Sequence, residues 1–282
     1  MTPERPHLIG LPTRIRLIEQ VGAGSSGTVW RARDSHSGSD FAIKILSIQH
    51  SDALATERME REARALSRLT QVDGAISLHQ VGRTADGTAW LMLDFASAGS
   101  LRDRIDQQTL QQVEKQQALV QTLANELFAT LAQAHESGVI HGDISPANVL
   151  FSESGRPLLA DFGMASLLGG GVGAEGIVGF TPAYGAPELF SGRPPDQASD
   201  VFSLAATLWH AEFGVPLRRG PQGEVLTSSH PNCDAPSWMI AALAEQPRSR
   251  PDARSMLQQL SPQQRSHKPW FGSWKYPRKH VE

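Results

Sequence analysis

Near Leu101 the residue pattern changes its period, and the two sides of that point read differently. Before it, RIRLIEQVG (14–22), GTVWRARD (27–34), SDFAIKIL (39–46), AISLHQVG (75–82) and TAWLMLDF (88–95) are short runs rich in β-branched and aromatic residues. Polar and Gly-containing turns separate them, the signature of strands. One segment breaks this rhythm: in ATERMEREARALSRL (55–69), Met59, Leu66 and Leu69 share a helical face with Glu62 nearby. Five strands with a helix inserted after the third make a small mixed lobe. After Leu101 the balance is helical, over 114–138, 196–214 and 235–246. Strand-like VIHG (139–142), NVLF (148–151) and PLLA (157–160) interrupt the helices where polar residues concentrate. The expected class is α+β, with a sheet lobe and a mainly helical one.

Composition limits what such a chain does. At 282 residues it suits one large domain or two tightly packed lobes. A hydrophobic share of 40% argues against a disordered or fibrous chain, and a net charge of −3 against a generally basic nucleic-acid binder. The single Cys233 supplies neither an intramolecular disulfide nor a multi-cysteine zinc site. The first residues hold no continuous apolar run of the secretory kind. The stretch at 201–215 is short and interrupted by His210 and Glu212, so no integral membrane segment is expected and the setting reads as cytoplasmic.

The chemistry-bearing motifs begin with VGAGSSGTV (21–29), where Gly22, Gly24 and Gly27 form a G-x-G-x-x-G pattern between two strands. Missing Cβ atoms let a backbone approach phosphate oxygens. A phosphate loop, a dinucleotide loop and an ordinary turn all fit this pattern alone. The strand that follows argues against the dinucleotide fingerprint, which needs a helix, and no GK[ST] follows for a Walker loop. Next, Lys44 stands in an apolar strand with Ala42 on its face by the two-residue period. Ala42 leaves room for a planar ring above phosphates, and Glu62 is an anionic partner for the ammonium. A solvated lysine and a solvated helical glutamate are the alternative for these two.

Downstream, HGDISPANVL (141–150) and DFG (161–163) place Asp143 and Asn148 five residues apart and Asp161 a further 13 along. With GAGSSGTV, AIK, REARALSRL, TPAYGAPE, SDVFSLAATLW and RSRP in this order, the chain from Arg16 to Leu260 resembles the eukaryotic-like serine/threonine protein kinase family, and its compact core resembles bacterial members. The resemblance implies the two-lobed kinase fold, with a kinase domain at 13–262 (lobes 13–95 and 96–262) and a tail at 263–282. It also implies ATP- and Mg2+-dependent phosphoryl transfer, with Mn2+ as a substitute ion, to Ser/Thr hydroxyls of a protein substrate.

By the same resemblance, Gly22, Gly24 and Gly27 lie over ATP, and Lys44 meets its phosphates and pairs with Glu62. Asp143 orients or deprotonates the substrate hydroxyl, while Asn148 and Asp161 hold the metal. Leu93 stands at the back of the adenine pocket, backbone groups of Asp94 and Ala96 meet the adenine edge, and Val29, Ala42 and Leu150 sandwich the ring. Leu66, His141, Phe162 and either Ile76 or Leu78 form a packed column between lobes. Glu188 pairs with Arg250, Asp200 holds the catalytic loop, and Thr181 braces Asp143.

Three departures qualify this. Gly142 stands where the family has an arginine that receives an activation-segment phosphate, so phosphate-driven assembly is not expected. Ser145 replaces a lysine that stabilises the transferred phosphate, which points to slow turnover or to an ATP-binding pseudokinase. HGD also occurs in small-molecule phosphotransferases, although TPAY and APE favour protein substrates. Candidate phosphosites reduce to Ser166, Thr181 and Tyr184. The tail, PQQRSHKPWFGSWKYPRKHVE (262–282), has five Lys/Arg and one acidic residue among four aromatics, a composition for packing on the lobe or for contacting a regulatory partner or surface.

Overall fold

The computed structural model describes residues 11–24, 27–46, 52–83, 89–107, 113–162, 166–167, 180–218, 220, 225 and 235–260. Cys233, the tail and the glycine-rich 168–179 lie outside the described residues. The first lobe is a five-stranded antiparallel sheet of β1 (Ile15–Gly24), β2 (Gly27–Asp34), β3 (Asp40–Leu46), β4 (Leu78–Arg83) and β5 (Ala89–Asp94), ordered β1-β2-β3-β5-β4. Helix α1 (Asp52–Arg68) follows β3 and packs on β5 and β4.

Strand alternation gives the sheet two different faces. Ile15, Leu17, Trp30, Ala32, Ile43, Ile45, Trp90 and Met92 form a small core on one of them. Ala42, Leu91 and Leu93 join the main core with Leu66 of α1 and Leu69 just beyond it. Lys44, one residue from both Ile43 and Ile45, is thereby directed away from the small core and toward α1. Gly82 pairs with Trp90 across β4–β5, and a Cβ on Gly82 would lie 2.2 Å from the indole. Gly82→Ala is therefore expected to lower stability by about 1–3 kcal/mol, read as a lower denaturation midpoint in urea.

The second lobe contains α2 (Leu101–Gln107), α3 (Val113–Glu136), α4 (Pro187–Phe190), α5 (Gln197–Phe213), α6 (Ser237–Ala242) and α7 (Ala253–Leu260). Helix α5 is its axis. Every residue from Ser199 to Ala211 is buried, as for a helix surrounded by others. It starts with a reciprocal capping box, Asp196 accepting from the Ser199 amide and Ser199 from that of Asp196.

Two short antiparallel pairs flank the polar loop: β6 (Val139–Ile140) with β9 (Ser166–Leu167), and β7 (Val149–Phe151) with β8 (Pro157–Leu159). The lobes join through backbone bonds from Ile76 N to Leu159 O at 2.9 Å and from Leu159 N to Gly74 O at 2.7 Å. The two-lobed α+β architecture is as expected from the pattern. Helix α6 is shorter than the expected 235–246, ending at Ala242. Pro247 lacks an amide hydrogen, and in a continued helix its ring would collide with the Leu243 carbonyl. Among the described residues, no helix is long and apolar enough to cross a membrane.

Candidate active site

Between the lobes, the Lys44 ammonium is held by three carboxylate oxygens. Its Nζ lies 2.8 and 3.0 Å from Glu62 Oε1 and Oε2, and 2.6 Å from Asp161 Oδ1. Burial alone would lower the Lys44 pKa, but the two carboxylates outweigh it and hold the ammonium above its usual value. Lys44 and Glu62 are buried, whereas the Asp161 side chain keeps 40% of its surface open. Asp161 itself sits at φ 60°, the left-handed region, at the turn into Phe162.

A second network fixes the loop after β6. Asp200, buried on α5, accepts from the amides of His141 and Gly142, each at 2.8 Å, and meets His135 Nε2 at 3.0 Å. Gly142 has φ 83°, so the place where the family carries an arginine has here a backbone that disfavours any side chain. His141 donates from Nε2 to Ala160 O at 3.0 Å and accepts at Nδ1 from the Asp143 amide at 3.3 Å. Both ring nitrogens are thus engaged inside the core, and the ring packs 4.5 Å from Phe162. Leu66, Ile76 and Phe162 are buried in the same cluster, with Leu78 packed against it.

Asn148 Nδ2 donates to Asp143 O at 2.8 Å, which leaves its amide oxygen for another ligand. The Thr181 amide donates to Asp143 Oδ1 at 2.8 Å, so Thr181 reaches Asp143 through its backbone. Among the described residues nothing donates to the other carboxylate oxygen. Ser145 is only 3% exposed and forms no part of the cleft wall.

The cleft has a volume of about 490 Å³. Val29, Ala42, Leu93 and Leu150 provide its apolar walls, while Gly22, Lys44, Glu62, Asn148 and Asp161 line its polar side. Asp94 and Ala96 lie along its edge. The Asp94 amide is taken by Ser77 O at 3.1 Å, so any edge contact from Asp94 falls to its carbonyl. Gly24 and Gly27 pair with each other at the β1–β2 turn.

Beyond Thr181, Tyr184 is buried, and its hydroxyl accepts from Arg102 Nη2 at 3.0 Å and donates to His210 Nδ1 at 2.7 Å. Burial pushes the Tyr184 phenol up, and burial followed by the Arg102 charge holds His210 below its ordinary value. Glu188 and Arg250 form a two-pronged ion pair at 2.6 and 2.8 Å. Phe180, directly before Thr181, packs edge-on against Phe190 at 5.0 Å.

Residues 15–267 match the family described as Protein kinase domain. The chain belongs to that family. It is similar to serine/threonine-protein kinase PknK of Mycobacterium tuberculosis, 34% identical over 207 residues that cover 73% of this chain and 18% of that protein. PknJ of the same species is 34% identical over 212 residues, covering 73% of this chain and 35% of that kinase. PkaA of Streptomyces coelicolor is 31% identical over 278 residues, covering 86% and 49%. The chain therefore spans less than half the length of these curated relatives. Each of these relatives is named a serine/threonine-protein kinase, and membership of the protein kinase domain family agrees with the motif order.

Within this kinase-family domain, the cleft brings together Lys44, Glu62, Asn148 and Asp161 from four separate segments, with Gly22, Val29, Ala42, Leu93, Asp94, Ala96 and Leu150 around them. Asp143 and Thr181 meet beside it. Sequence reasoning missed Phe95, Ser100, Asp103 and Ala160 as lining residues, and Ile76 as a wall of the cleft. For Ala160 the available signal was its place directly before DFG. For Asp103 there was none, since α2 is too short for a period to show.

Proposed function

We propose that the chain transfers a phosphoryl group from ATP to Ser/Thr hydroxyls of protein substrates, in the cytoplasm, with Mg2+ or Mn2+ as the metal. Residues 13–262 are the catalytic unit in this reading (lobes 13–95 and 96–262), and 263–282 an appended tail. The observation that carries it is Lys44 locked between Glu62 and Asp161 in a nucleotide-sized cleft beside Asp143.

The donor set fits the metal. Asn148 offers an amide oxygen and Asp161 a carboxylate, both hard oxygen ligands at the cleft wall. Mg2+ keeps several waters and is held by one or two carboxylates with substrate phosphates, so two oxygen ligands from the protein suffice. When bound, the ion would offset the negative charge of the phosphates. The remaining work falls to positioning and charge. Lys44 orients the α/β phosphates under Gly22, Gly24 and Gly27. Asp143, one oxygen pinned by Thr181, turns the other to the substrate hydroxyl and takes its proton. Ala96 presents its amide, and Asp94 its carbonyl, to the adenine edge.

Ser145 gives the second reading its support. A buried hydroxyl does not replace a cation at the transferred phosphate, and one missing donor of this type costs on the order of 3 kcal/mol in the transition state. Slow turnover is the expectation, and a nucleotide-binding module without turnover is its limit. Incubation with γ-labelled ATP and Mg2+ separates the readings when a basic protein and a set of small hydroxyl compounds are supplied in parallel. Label on Ser or Thr of the protein supports the proposal. Label in the small compounds alone, or nucleotide binding without any transfer, would overturn it.

A further inference from the structure

A second cavity lies away from the cleft, where α3, α5 and α6 meet. Its volume is about 390 Å³, and Gln117, Gln121, Glu212, Pro236 and Trp238 line it. Two features of this cavity point to an occupant. The Glu212 carboxyl is half-buried, and among the described residues none donates a hydrogen bond or an ion pair to it. Burial without a partner pushes it up to about 7. An occupant carrying a cation relieves that desolvation, while Pro236 and the Trp238 ring offer an apolar surface beside it.

The second feature is where the described chain ends. Trp238 Nε1 donates to Gln121 Oε1 at 3.2 Å, and Gln121 Nε2 donates to Leu260 O at 3.4 Å. The last carbonyl of α7 is thus bonded to a residue of the cavity wall. The sequence that continues from this point is basic and aromatic, with Lys268 and Trp270 on either side of Pro269. At about 3.3 Å per extended residue, Lys268 reaches up to about 26 Å from that carbonyl, ample for a cavity that begins there.

We propose that the segment 264–276 folds back into the α3–α5–α6 cavity of its own chain, with Lys268 paired to Glu212 and Trp270 laid against Pro236 and Trp238. A residue before proline favours extended backbone, and alternate residues of an extended chain share a face. Lys268 and Trp270 are therefore presented together, one cation and one ring, to a cavity that holds one carboxylate and one apolar wall. The docking does not depend on phosphoryl transfer, so it stands or falls separately from the kinase assay.

Amide hydrogen exchange on the full chain tests it. Segment 264–276 is expected to exchange at least tenfold more slowly in the wild type than in Glu212→Lys or Lys268→Glu, and the double charge swap is expected to restore much of that protection. Lys268→Ala, which alters only the tail, guards against a misfolded cavity variant. Carbodiimide coupling is expected to join Glu212 to Lys268 within one chain when isotopically labelled and unlabelled chains are mixed. A segment that exchanges freely in the wild type, or protection unchanged in Glu212→Lys, would refute the docking. So would coupling found only between different chains, or protection that arises only on adding anionic vesicles or single-stranded DNA.

Discussion

Asp143→Ala is expected to slow phosphoryl transfer to protein by about a hundred- to ten-thousandfold, with nucleotide binding changed by no more than a few fold. The selectivity follows from how the residue is held. Its backbone is fixed by His141 Nδ1 and Asn148 Nδ2, and one carboxylate oxygen by the Thr181 amide. Removing the side chain leaves those backbone contacts, the Asp200 bonds to the loop and the Lys44 fork intact. Only the acceptor for the hydroxyl proton disappears. Initial rates at saturating ATP and Mg2+, beside nucleotide-induced thermal shifts, give both quantities. Retention of more than a tenth of the wild-type rate would remove Asp143 from the role of base.

The largest effect on stability is expected at Arg250. Its guanidinium grips Glu188 through two bonds and donates to the carbonyls of Ala198, Ala244 and Glu245, while lying 4.9 Å over the Phe202 ring. All of this is buried, since neither side chain of the pair is more than 6% exposed. Arg250→Met leaves the Glu188 carboxylate without a counter-charge and three carbonyls without their donor. A loss of about 3–5 kcal/mol is expected, which for a chain of this size lowers the melting temperature by roughly 10 °C. Replacing Glu188 and Arg250 together by methionine should recover part of it, because no unpaired charge then remains. A single-variant loss below about 1 kcal/mol would class the pair with surface ion pairs.

What was legible in the sequence depended on the range over which each feature is determined. Strands β1 to β5 announce themselves by β-branched runs and turn residues, and the period of two places Lys44 on the face opposite Ile43 and Ile45. The short α2 and α4 have too few residues for a period. Helix α2 is held instead by contacts such as the Arg102 amide on Pro146 O. The loop residues Asp143 and Asn148 were readable as a motif, but the Tyr184–His210–Arg102 cluster joins residues up to 108 positions apart that carry no mutual signal. Tyr184, a phosphosite candidate on sequence grounds, is 1% exposed. Ser145 reads in the sequence as a weak stand-in for a cation, whereas its burial depends on how the whole loop packs.

Asp200 also bears on the order in which competence is acquired during synthesis. Its carboxylate reaches back to His135, His141 and Gly142, up to 65 residues earlier in the chain. The strands β1 to β5 pair only with one another, all before Phe95, so the sheet can assemble while the rest of the polypeptide is still being made. The catalytic loop lacks that autonomy. Until α5 has been made and packed beneath it, the amides of His141 and Gly142 have no carboxylate to settle on. A nascent chain that stops short of Gln197 would carry every residue of the Lys44 fork and of the loop but not the Asp200 carboxylate that holds the His141 and Gly142 amides, a bundle of parts that becomes a catalyst only when its central helix arrives.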